Sequence, residues 1–163
     1  MKNNPMYQKR WGVMCHYLEG IQNNPFHFSN EGANVKPWSE HVEAFDVEKL
    51  ARQLHEMHAG YFMISMCQGM PYMIAPNATY DRICGLPAGW ACSKRDLVLD
   101  LYEALKKYDI DLYLYFTSDG PCAEANVAVH FGNPYNQYGG FHTNEEFKKL
   151  REGDGIASCY ARW

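Results

Sequence analysis

Apolar strand-like runs alternate with amphipathic helical segments along these 163 residues, and the alternation predicts an α/β fold built on a parallel sheet. Two further observations point the same way. The runs start at residues 13, 61 and 110, a spacing of 48 and then 49 residues, and a fourth is due near 159. The helix-to-strand turns, His58-Ala59-Gly60 and Tyr108-Asp109, are short, whereas the segment after each strand is long. Long connections at the carboxyl ends of parallel strands are where α/β proteins hold their ligands.

Each element has its own reason. Val13 to Leu18 is an apolar run that reads as a buried strand. A long irregular stretch, Glu19 to Ala44, follows it. Asp46 then caps a helix whose inward positions, Val47, Leu50, Ala51, Leu54 and Met57, recur three and four apart. Gly60 is expected to end that helix, and Tyr61 to Met66 forms the second strand. After a second irregular stretch, Ser93-Lys94-Arg95-Asp96 reads as a capping box. The helix behind it buries Leu97, Val98, Leu101, Ala104 and Leu105. Ile110 to Thr117 is the third strand, with Leu112, Leu114 and Phe116 alternating against Tyr113 and Tyr115. Thr143-Asn144-Glu145-Glu146 opens a last helix with Phe147 and Leu150 inward.

Composition removes several function classes. With Lys plus Arg at 15 and Asp plus Glu at 19, the net charge is −4, which suits neither a nucleic acid nor a membrane surface. No run approaches the roughly 20 apolar residues that cross a bilayer, and the start reads as lacking a signal peptide, so a cytoplasmic setting is the default expectation. Six scattered cysteines contain no CxxC pair, so neither a metal nor another cofactor is expected. Aromatics are abundant, with 8 Phe, 4 Trp and 12 Tyr. Tyr and Trp join an apolar face to a polar tip, which suits ligands of the same mixed character.

The strand ends place the candidate site among His16, Cys67, Gln68 and Tyr115 to Asp119. His16 has the chemistry to bind a hydroxyl or move a proton, and equally that of a satisfied core histidine. The Gln68 amide offers two donors and an acceptor, which suits a polyol. Trp38, Trp90, Tyr72 and Tyr80 sit in the long connections, where they either stack on sugar rings or anchor the loops. Asp119 and Glu124 share one loop, and nothing sets them on opposite sides of a scissile bond, as glycoside hydrolysis requires. Cys67 beside His16 is a thiol candidate without a cation to lower its pKa.

Four runs, taken in order, resemble the catalytic barrel of the alpha-L-fucosidase family of glycoside hydrolases (family 29). They are Gly12-Val13-Met14-Cys15-His16-Tyr17, Phe45 to Tyr61, Cys92-Ser93-Lys94-Arg95-Asp96-Leu97-Val98, and Leu114-Tyr115-Phe116-Thr117. The likeness runs from about Trp11 to Phe147. It implies a (β/α) TIM-barrel-type fold, with residues 1–163 a partial barrel domain of the first three to four βα units. It also implies a carbohydrate substrate, retaining hydrolysis of a terminal deoxy-sugar by two carboxylates in the intact enzyme, and substrate binding by His16, Trp38, Gln68 and Tyr115. The family's double histidine and Asp-Gly after strand two correspond here to the run Met66-Cys67-Gln68-Gly69-Met70, in which both histidines are missing. Its nucleophile run has no counterpart near Gly155 to Trp163, and Asp154 does not take that role. The chain is therefore expected to be a truncated or frame-disrupted amino-terminal part, inactive alone.

Two other readings stand beside this one, a non-catalytic carbohydrate-binding fragment and a small α/β thiol protein using Cys67 or Cys15. An incomplete parallel sheet leaves an edge uncovered, so self-association through that edge is expected. A sharp monomeric peak in gel filtration, with cooperative unfolding, is the result that would count against it.

Overall fold

A computed structural model describes residues 8–9, 11–23, 37–85, 87–117, 127, 135–136 and 140–141. Within it, β1 (Gly12–Cys15), β2 (Tyr61–Cys67) and β3 (Asp111–Phe116) form a parallel sheet in the order β1-β2-β3. The helices are α1 (Glu19–Gln22), α2 (Trp38–Glu43), α3 (Val47–Glu56), α4 (Ala78–Cys84) and α5 (Leu97–Lys106). A separate antiparallel pair joins β4 (Tyr135–Asn136) to β5 (Gly140–Phe141). The fold is thus mixed α/β with a small parallel three-stranded sheet. The expected helix after Thr143, the fourth strand near 159, and Asp119, Glu124 and Asp154 lie outside the described residues.

Register fixes the two faces of the sheet. Val13, Phe62 and Leu112 are aligned across the strands, as are Cys15, Ile64 and Leu114. Phe62 and Ile64 are buried among Ala51 and Leu54 of α3 and Leu97, Leu101, Ala104 and Leu105 of α5. Each of the Phe, Ile and Leu side chains contributes about 1.5–3 kcal/mol on burial. The next residues, Gly12 and Tyr61, then Met14, Met63 and Tyr113, then Ser65 and Tyr115, point to the opposite face. A second cluster, of Cys67, Met73, Tyr80, Cys84, Ala91, Cys92 and Val127, closes the carboxyl end.

The helix caps differ in detail from the sequence reading. Asp46 caps α3 by accepting from the Lys49 amide at 2.9 Å. At α5 the cap is Asp96, which accepts from Leu99 at 2.9 Å, and not Ser93, whose hydroxyl donates to the Arg95 carbonyl. The end of α3 is set before Gly60. His58 adopts φ +58°, with His58 N–H to His55 O and Ala59 N–H to Leu54 O both at 2.9 Å. This is a Schellman stop with a histidine at the left-handed position. It turns the chain away at Met57, which is half exposed rather than inward. The end of α5 repeats it, with Asp109 at φ +56° and Ile110 N–H to Leu105 O at 3.2 Å.

Both stretches read as irregular contain helices. Asn77 caps α4, accepting from the Tyr80 amide at 2.9 Å, and Gly85 stops it at φ +66°. The strands are also trimmed: β1 ends at Cys15, before His16, and β3 starts at Asp111. Leu114, expected to alternate inward, is 47% exposed. Arg95 ties the pieces together. Its Nη1 donates to the carbonyls of Val42, Glu43 and Phe45 at 2.8–3.0 Å, and its Nε donates to Asp100 at 2.6 Å.

A left-handed conformation costs a side-chain-bearing residue roughly 1–2 kcal/mol. Replacing exposed His58 by glycine is therefore expected to raise stability by about 1 kcal/mol in urea unfolding. No change, or a loss, would show that the histidine is held there by interactions of its own.

Candidate functional site

The carboxyl ends of the three strands bring His16, Ser65 and Tyr115 into one row. β1 stops at Cys15, so His16 is the first residue beyond it, and in-register pairing sets it beside Ser65 of β2. Ser65 in turn pairs with Tyr115 of β3. The His16 Nδ1 lies 2.9 Å from the Ser65 hydroxyl oxygen, and that hydroxyl donates to the Cys15 carbonyl at 3.4 Å. The Ser65 hydroxyl thus lies between the imidazole and the Cys15 carbonyl. The Tyr115 ring meets the imidazole edge-on, with centroids 5.6 Å apart.

Burial divides the labour within the row. Ser65 is fully buried, while His16 is exposed and Tyr115 half-buried. The serine thus holds the exposed histidine from the buried side of their contact. Directly after Ser65 the pairing of β2 with β3 slips, so that Met66 bulges and Cys67 pairs with Phe116. Bulges of this kind re-aim the residues that follow them. Among the described residues no carboxylate bonds to any member of the row.

The four residues singled out from sequence have different fates. His16 and Tyr115 are brought together. Gln68 lies one residue beyond β2, with its Oε1 buried and without a hydrogen-bond partner among the described residues. A buried amide oxygen left unpaired costs about 1–3 kcal/mol. Trp38 is 5% exposed, packs in the main core, and donates its indole N–H to the Met73 carbonyl at 2.8 Å. It anchors its loop and contributes only an edge to a cleft of about 530 Å³ shared with Glu19, Asn23, Tyr72 and Trp90. The exposed indole of that cleft is Trp90, at 47%. Sequence reasoning missed Ser65, since one small polar residue in an apolar strand carries no signal until register places it against His16.

No family model matches the chain, and no curated relative matches it. Among solved structures it is similar to an alpha-L-fucosidase GH29 from Bacteroides thetaiotaomicron, at 20% identity and a TM-score of 0.49, over 79% of this chain and 35% of that one. A bacterial fucosidase crystallised with a monovalent iminocyclitol inhibitor matches at 19% identity and a TM-score of 0.49, over 98% and 40%. A trapped covalent intermediate of an alpha-L-fucosidase GH29 from Bacteroides thetaiotaomicron matches at 20% and 0.45, again over 98% and 40%. The chain therefore spans well under half the length of these proteins, and the likeness is a distant one of fold that assigns no family.

The thiols occupy a different chemical setting. Cys67 is fully buried and donates its S–H to the Met70 carbonyl at 2.9 Å, the arrangement of a protonated, packed thiol. Burial pushes the Cys84 and Cys92 thiols up to about 12, and for Cys92 the Asp81 carboxylate adds to the effect. At pH 8 only about one in ten thousand of either is thiolate. In the unfolded chain both ionise near 9. The folded state thus keeps protons that the unfolded chain gives up. Their contribution to stability is complete below pH 9 and is lost as pH rises from about 9 to 12. Alkylation at pH 8 is expected to be far slower than that of free cysteine, and urea midpoints should fall between pH 9 and 11. Rapid labelling of either residue in the folded protein would contradict the buried geometry.

Proposed function

We propose that the chain is the amino-terminal part of an alpha-L-fucosidase-like glycoside hydrolase, comprising the first three to four βα units of a TIM-type barrel. In this reading the row His16–Ser65–Tyr115, with Gln68 beside it, holds the hydroxyls of a fucose-like sugar. The observation that carries it is the 2.9 Å contact between His16 and Ser65 at the carboxyl ends of two parallel strands. It sets an exposed imidazole against a buried hydroxyl at the strand ends, where barrel folds bind substrate.

The mechanism implied is retaining hydrolysis by two carboxylates about 5 Å apart. Since no carboxylate among the described residues touches the row, this stretch contributes sugar binding and the carboxylate pair comes from other residues. The same observation favours a second reading, a carbohydrate-binding domain without turnover. A thiol function draws no support from Cys67, whose proton is committed to Met70.

L-fucose titration by ligand-observed NMR tests the proposal. Wild type is expected to bind with millimolar affinity or better. Ser65→Ala should weaken binding roughly fivefold, as loss of one hydrogen bond predicts. The His16 imidazole nitrogen shifts should change at the same time. Absence of fucose binding by folded wild type would sink the reading, whereas turnover of an aryl fucoside would exclude the binding-only alternative.

A further inference from the structure

Asp81, in the first turn of α4, is only 8% exposed, yet its carboxylate is poorly satisfied. Its Oδ2 accepts from the Gly89 N–H over a long 3.4 Å, and its buried Oδ1 has no hydrogen-bond partner among the described residues. No Lys, Arg or His among those residues forms an ion pair with it. The buried polar groups around it are satisfied by contrast. The Tyr80 hydroxyl donates to the Pro71 carbonyl at 2.8 Å, and the Ser93 hydroxyl to the Arg95 carbonyl at 2.7 Å. The neighbouring Cys92 thiol donates to the Asn77 carbonyl, 3.8 Å away.

Asp81 lines a cavity of about 530 Å³, within the usual range of small-molecule sites. Pro76, Ala78, Ala88 and Gly89 give much of the remaining wall a small, apolar character. Lys94, which is exposed, lines the same cavity. A mostly apolar space with one under-satisfied carboxylate is complementary to an apolar group that carries an ammonium. Charge-assisted N–H donors offset the cost of burying an unpaired carboxylate oxygen, a neutral hydroxyl offsets less, and an anion is repelled. Among the described residues no three His, Cys, Asp or Glu side chains are grouped to hold a metal ion, so the fitting cation is an organic one.

We infer that this cavity is a binding site for a small primary amine bearing an apolar group, with Asp81 as the acceptor of its ammonium. The site is separate from the His16–Ser65–Tyr115 row and stands or falls without the sugar reading. Its ligand is either a simple amine or a free α-amino acid, which present the same ammonium. Lys94 separates the two, since its charge opposes a ligand that is only cationic and attracts the carboxylate of a zwitterion.

Ligand-observed NMR titrations of the full chain at pH 7 test the site with benzylamine, benzyl alcohol and L-phenylalanine. Wild type is expected to bind benzylamine about tenfold more tightly than its uncharged isostere, benzyl alcohol. Asp81→Asn, which keeps the shape, should bring that ratio close to one. Ala78→Leu, at the exposed start of α4, fills part of the cavity and should weaken both ligands about fivefold. Circular dichroism establishes that each variant is folded. If Asp81→Asn does not fold, Ala78→Leu decides, and an unchanged benzylamine affinity overturns the site. An amino acid is the ligand if phenylalanine binds more tightly than benzylamine and Lys94→Met abolishes that advantage. A simple amine is the ligand if phenylalanine has no advantage and Lys94→Met tightens benzylamine. Equal binding of benzylamine and benzyl alcohol by wild type, binding of neither, or an unchanged ratio in folded Asp81→Asn overturns the inference.

Discussion

Everything at the carboxyl ends of the sheet depends on the register in which β1 and β3 pair with β2. A slip of one residue would carry His16, Ser65 and Tyr115 to the helix-facing side and bring Phe62 and Ile64 out. Hydrophobic burial opposes that slip along the length of β2, since its two largest inward side chains sit under α3 and α5. Glycine enforces the register at the other end. A Cβ on Gly12 would collide with the Tyr61 carbonyl and ring, and one on Gly60 with the Lys9 backbone. Gly60 then spans both neighbours, donating to Trp11 O at 2.9 Å and accepting from Asp111 N–H at 3.1 Å. The row is therefore set, in a physical sense, from the opposite end of the strands.

The elements legible in the sequence are those long enough to show a period. Positions 47, 50, 51 and 54 of α3, and the apolar runs of the three strands, declare themselves because their burial is repetitive. Helices α1, α2 and α4 have four, six and seven residues, too few turns for a stripe to stand out. Their signals are single residues, such as Asn77 as cap and Gly85 as stop. His58 and Asp109 were missed as helix stops for a related reason: the left-handed position there is occupied against the usual preference for glycine.

The site was half legible. A histidine and a tyrosine at strand ends are visible as chemistry, and the strand pattern places them at one end of the sheet. Ser65 is defined only by what stands across from it, which no local pattern carries. Trp38 and Trp90 look alike in sequence, both in long connections. They differ because the Met73 carbonyl takes the N–H of one, whereas the other stacks on Tyr72 and stays half exposed. Loop chemistry is thus decided by the fate of single polar atoms, and these follow from tertiary contacts.

At the end of α2, Arg95 reads only backbone. Its three acceptors at the end of α2 are the carbonyl oxygens of Val42, Glu43 and Phe45, and no side chain of that turn is among them. The shape of the turn is thereby separated from most of its sequence. Exposed positions such as Glu43 and Ala44 are free to drift over evolutionary time while the turn keeps its course. The arginine has no such freedom, since its planar fork must reach several oxygens at once. A wall of the Trp90 cleft, formed by the start of α2, can thus be inherited through one side chain while the letters around it change.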